Sequence, residues 1–72
     1  MTNSTTEILR LNIKKYRLIK GYTQENLSEL CGLSTDYISE IERGKKLPSF
    51  KSFLKISDVL EIPAYKFLIS ND

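Results

Sequence analysis

Thr35, Asp36, Ser39, Glu40 and Arg43 recur at intervals of three and four residues, and each carries a hydrogen-bonding group or a charge. On a helix that steps about 100° per residue they share an arc of roughly 140°. Tyr37, Ile38, Ile41 and Glu42 take the opposite side, from roughly 200° to 340°. Short hydrogen-bonding side chains on a helix face can enter the major groove of DNA without a clash and meet the donors and acceptors of base edges. By itself the pattern also fits an ordinary amphipathic surface helix, so the neighbouring elements must decide.

The charges give a similar choice. Lys14, Lys15, Arg17 and Lys20 form one basic cluster, Arg43, Lys45 and Lys46 a second, and Lys51 and Lys55 follow, yet the net charge is only +2. The clusters are either phosphate contacts or solvated helix faces. Other chemistry is excluded more firmly. With no histidine and one cysteine, Cys31, the usual zinc sets and the Ser-His-Asp and Cys-His catalytic arrangements lack members. A chain of 72 residues has little room for an enclosing pocket, so neither an enzyme nor a cofactor is expected. No apolar run approaches the roughly 18 residues that span a bilayer. Residues 1–11 are polar and lack a signal pattern. The expectation is a cytoplasmic protein with no membrane partner, whose lone Cys31 is a small core residue rather than a redox sensor.

The elements follow from caps and breaks. Ser4-Thr5-Thr6-Glu7 reads as a capping box before a helix with Leu9, Ile13, Tyr16 and Ile19 or Lys20 at helical spacing, ended by Gly21. Thr23 caps a short second helix whose inward stripe is Leu27, Leu30 and Cys31, and Gly32 stops it. Ser34 caps a third helix that runs to Arg43, with Gly44 beyond it. Ser49 caps a fourth, with Phe50, Phe53, Leu54, Ser57 and Leu60 along one side. Ile62-Pro63 breaks that helix, and Pro63 opens a last short one. The prediction is an all-α fold: five helices joined by short turns, one domain over 1–72, with short flexible ends at 1–4 and 70–72. Phe50, Phe53, Leu54, Ile56 and Leu60 are assigned mainly to the core.

Residues 23–44 form two short helices joined by a turn centred on Gly32, which is the helix-turn-helix arrangement. Leu27, Cys31, Leu33, Ile38 and Ile41 supply the face that the two helices bury together, and Ser28 sits where they come closest. The segment TQENLSELCGLSTDYISEIERGKKLPS resembles the helix-turn-helix of the lambda-repressor-like family, the Cro/cI or XRE type. Arg17 one helix upstream and the Pro-Ser start of the fourth helix extend the resemblance to about residues 8 to 68. It implies a compact five-helix DNA-binding domain. Two departures stand out: Ser28 replaces the commoner alanine, and Glu61 follows Leu60 where the family usually has glycine.

The resemblance implies base contacts early in the third helix and one turn on, at Thr35, Asp36, Ser39 and Glu40. A threonine methyl can meet a thymine methyl, and a carboxylate can accept from cytosine N4. Asp36 or Glu40 can equally act as a negative discriminator or orient Arg43. Gln24 and the amides of the second helix's first turn are expected to grip phosphate, joined by Arg43, Lys45 and Lys46. The Tyr37 ring is expected to pack at the edge of the inward face while its hydroxyl reaches a phosphate. Arg17 and Glu42 are implied to bridge the first and third helices, since a partly buried charge needs a partner. Tyr65, Phe67, Leu68 and Ile69 exceed what a last short helix must bury. They either close the core or form a homodimer interface, which would set two third helices about 34 Å apart on a near-palindromic site. The partner is then double-stranded DNA and the role a repressor, controlled by concentration rather than by a small-molecule ligand. The alternative is a protein-interaction module such as an antitoxin or an anti-repressor partner.

Overall fold

The computed structural model describes residues 4–70. Among them are four α-helices and a 3-10 turn: α1 (Thr5–Ile19), α2 (Gln24–Cys31), α3 (Thr35–Glu42), α4 (Phe50–Leu60) and the 3-10 turn (Ala64–Leu68). Apart from Ser4 and Ser70, the ends expected to be flexible lie outside the described residues. No described helix is long and apolar enough to cross a membrane.

All four helices begin at a hydroxyl. Ser4, Thr23, Ser34 and Ser49 each accept the amide of the third helical residue, at Glu7, Asn26, Tyr37 and Ser52. Such a bond satisfies one of the donors that a helix start leaves open. The Thr23 cap is reciprocal, because the Asn26 side chain accepts the Thr23 amide at 3.0 Å. At Ser4 the Glu7 carboxylate pairs with Arg10.

All four helices also end alike. Gly32 at φ +69° lets its amide reach the Glu29 carbonyl, while the Leu33 amide reaches that of Ser28. The same pair of bonds closes α1 at Gly21, α3 at Gly44 and α4 at Glu61. This is the Schellman pattern, which needs a left-handed residue. Glu61, at φ +58°, is the described non-glycine residue in that region.

The fifth helix predicted after Pro63 is a 3-10 turn instead. It comprises the five residues after Pro63, and the Lys66 amide donates to the Pro63 carbonyl at 3.0 Å, an i to i+3 bond. Runs this short favour the tighter ring. Its carbonyls are answered from α1: the Asn12 side-chain amide donates to the carbonyls of Lys66, Phe67 and Ile69 at 3.3, 3.1 and 3.0 Å. Thus a buried asparagine ties the end of the described chain to the first helix.

The turn also corrects one interface assignment. Phe67 is 0% exposed and stands at the centre of the core with Ile13, Leu27, Ile38, Ile41, Ile56 and Leu60. Tyr16 and Phe53 meet its ring edge to face, at centroid distances of 5.2 and 5.7 Å. Other apolar assignments change as well. Leu30 and Ile19 leave their predicted stripes for the surface, as do Phe50, at 74% exposed, and Leu54. On α4 the buried line is Ser52, Phe53, Ile56, Ser57 and Leu60. The serines are tolerated inside because Ser52 meets the Ser49 hydroxyl and Ser57 donates to the Ile62 carbonyl.

Candidate nucleic-acid interface

α1 holds α3 from behind by two arginines seven residues apart. Arg17 donates to both carboxylate oxygens of Glu42, Nε to Oε2 at 2.7 Å and Nη2 to Oε1 at 2.9 Å. Its Nη1 donates to the Tyr22 carbonyl at 2.8 Å. The two side chains are 8% and 3% exposed, so the fork geometry and the extra bonds offset the desolvation of both charges. Arg10 donates through Nη1 to the Glu42 carbonyl at 3.1 Å and through Nε to Glu7 at 3.0 Å. A cation there suits the negative end of the α3 dipole. Sequence reasoning missed Arg10. The available signal was its spacing from Arg17, two turns apart and hence on one side of α1. Gly44 lies under the Arg10 stem, where a Cβ would sit 3.0 Å from Cδ.

α2 supports α3 from the other side. Ser28 is 2% exposed and lies 2.9 Å, oxygen to oxygen, from the Thr35 hydroxyl. Gln24 reaches Glu42, donating from Nε2 to Oε1 at 3.0 Å. Its side chain therefore steadies the buried carboxylate. At the start of α2 the amides of Asn26 and Leu27 are both taken by Thr23. The amides of Gln24 and Glu25 precede them. At α3, Ser34 likewise takes the amides of Tyr37 and Ile38, and those of Thr35 and Asp36 precede them.

With its inner side fixed, α3 turns the polar side outward. Thr35, Asp36 and Arg43 are exposed and Ser39 and Glu40 half-exposed, while Ile38, Ile41 and Glu42 are buried. Glu40 shares its carboxylate with Lys46 at 3.3 Å, and its carbonyl accepts the amides of Lys45 and Lys46 at 2.8 and 3.3 Å. The Lys46 ammonium also lies 5.9 Å from the Tyr37 ring centroid. The cationic loop is thereby pinned beside the outer face, with Lys45 exposed next to Lys46. Tyr37 is half-buried, and its hydroxyl accepts the Ser49 amide at 2.9 Å. Burial pushes its pKa up, but the hydrogen bonds to Ser52 and Ser49 and the charge of Lys46 outweigh that, and the net direction is down.

A convex ridge of short polar groups, with unspent amides at two helix starts and cations at the far end, fits a groove walled by phosphates. That is the class of helix-turn-helix DNA-binding domains. The chain matches the helix-turn-helix family over residues 13–67 and belongs to it, within the XRE type of DNA-binding transcriptional regulators. It is 43% identical over 58 residues to the uncharacterized HTH-type transcriptional regulator YazB of Bacillus subtilis, covering 81% of this chain and 84% of that one. Among solved structures it resembles the hypothetical transcription factor NHTF from Neisseria, with a TM-score of 0.88 and 29% identity over 94% of this chain and 78% of the other. It also resembles the SinR chain solved in complex with DNA, with a TM-score of 0.80 and 35% identity over 85% of this chain and 98% of the other. Against the SinR sequence of Bacillus subtilis the chain spans 51% of the relative's length.

Proposed function

We propose that the protein is a sequence-specific repressor that acts in the cytoplasm as a homodimer on a near-palindromic operator. The observation that carries this is the outer face of α3, held outward by Glu42 and flanked by backbone donors and cations. Thr35, Asp36, Ser39 and Glu40 read base edges. The amides of Gln24 and Glu25, with Arg43, Lys45 and Lys46, grip phosphate. Tyr37 offers a phosphate only its O–H proton, since its acceptor side holds Ser49. The related SinR, solved in complex with DNA, supports DNA as the partner.

Tyr65, Leu68 and Ile69 are exposed at the 3-10 turn and form the dimer contact, with Phe67 holding them from inside. Two-fold pairing would then space the α3 helices by one turn of duplex.

Selection of bound sites from randomised duplex DNA tests the reading. The expected result is an enriched near-palindrome whose affinity falls steeply with salt. Lys46→Ala weakens every site alike and lowers the salt slope by about 1. A protein that enriches no sequence at low ionic strength contradicts the proposal.

A further inference from the structure

The hydroxyl of Ser28, buried between α2 and α3, has two neighbours. Its oxygen lies 2.8 Å from the Glu25 carbonyl oxygen and 2.9 Å from the Thr35 hydroxyl oxygen. A carbonyl can only accept, so the single Ser28 proton goes to Glu25. Thr35 must then donate its own proton to Ser28. Because Ser28 is buried, water does not compete for it, whereas Thr35 is exposed. Thr35 has given up its donor inward and keeps only lone pairs and a methyl group for what lies outside.

We infer that Ser28 is a positioning residue for base readout: it takes the Thr35 proton, so that Thr35 meets DNA as a hydrogen-bond acceptor only. The inference rests on the assignment of Thr35 as a base reader. In the major groove each base pair shows one amino group, on adenine N6 or cytosine N4, while guanine and thymine show acceptors. An acceptor-only hydroxyl bonds adenine or cytosine on the strand it approaches. It sets lone pair against lone pair at guanine O6 or thymine O4, which counts against those bases. With alanine at position 28 the Thr35 proton is free to turn outward, and the hydroxyl can serve either kind of base.

The test is site selection from randomised duplexes with the full chain and four variants: Thr35→Ala, Thr35→Val, Ser28→Ala and Ser28→Ala/Thr35→Val. Alanine is smaller than serine and a better helix former, so Ser28→Ala is compatible with the fold. Thr35→Ala locates the base pair that Thr35 reads. At that pair the unaltered protein favours adenine or cytosine over guanine or thymine on one strand. Ser28→Ala reduces the preference roughly three- to tenfold, the value of one ordinary hydrogen bond, and leaves the other positions unchanged. In the Thr35→Val background the same change at 28 has no effect, because there is no hydroxyl left to orient. If Ser28→Ala keeps the preference, or shifts all positions together, or acts equally in the Thr35→Val background, the inference is wrong while Thr35 remains a reader. A preference of the unaltered protein for guanine or thymine at that pair overturns the inference as well. If Thr35→Ala alters no position, the reader assignment fails first and the inference with it.

Discussion

Glu42 gathers three donors, two from Arg17 and one from Gln24, in a site closed to solvent. Removing the carboxylate leaves a buried guanidinium without a counter-charge. Glu42→Ala should lower unfolding free energy by about 3–5 kcal/mol. Adding Arg17→Ala to that variant should cost much less than Arg17→Ala alone, because the orphaned charge is then gone. Urea titration of the four proteins measures the coupling, and additive losses would show that the pair is not a unit. Cys31 gives a second prediction. Burial pushes its thiol pKa up, against a smaller opposite effect of Lys55. The folded chain therefore keeps the proton at a pH where the unfolded chain releases it. The stability associated with this group is complete below the ordinary thiol pKa, about 8.5, and declines as pH rises above it. Cys31→Ala should flatten that alkaline decline, and the native thiol should react slowly with disulfide reagents. Equal pH slopes for the two proteins would contradict it. The polar face of α3 was legible at this scale because helical phase alone assigns it. The inward turn of the Gln24 side chain was not, since its type suits a phosphate and a buried carboxylate equally.

At the scale of elements, the four starting caps and the three glycine ends were readable because hydroxyl and glycine each have a geometric reason to sit there. The fourth end was not. Glu61 adopts the left-handed conformation of a glycine, and its Lys20 partner is an exposed ion pair of little energetic weight. Glu61→Gly should therefore raise the melting temperature by a few degrees, as relief of a left-handed β-carbon does. Calorimetry decides this, and a lower melting temperature would mean that the ion pair or the native turn needs the side chain. The inner face of α4 was misjudged for a related reason. Apolar type drew Phe50 and Leu54 inward, whereas Ser52, which was not foreseen there, is inside because its hydroxyl meets that of Ser49. The last element was placed correctly but misread in kind. Asn12 reaches it from 54 to 57 residues away, and no local pattern announces such a contact.

Across the whole molecule, the 3-10 turn divides one apolar run between two roles. Phe67 is sealed in the core, while Tyr65, Leu68 and Ile69 face outward. Phe67→Ala should destabilise the fold by about 3–5 kcal/mol. If the proposed dimer forms through this turn, Leu68→Glu/Ile69→Glu should leave the monomer folded and abolish pairing of the otherwise dimeric protein, as seen by sedimentation equilibrium and circular dichroism. If that double variant still dimerises, the interface lies elsewhere. The alternation was hidden in the sequence because a five-residue run is too short to reveal its period.

The entry of α3 into a groove is tested most directly by residue-resolved amide shifts on titration with a selected duplex. The prediction is that amides of Gln24, Glu25, Thr35, Asp36 and Lys46 move together at low salt and recover as salt is added. Shifts confined to the 3-10 turn and α1, with Thr35 and Asp36 unmoved, would contradict it.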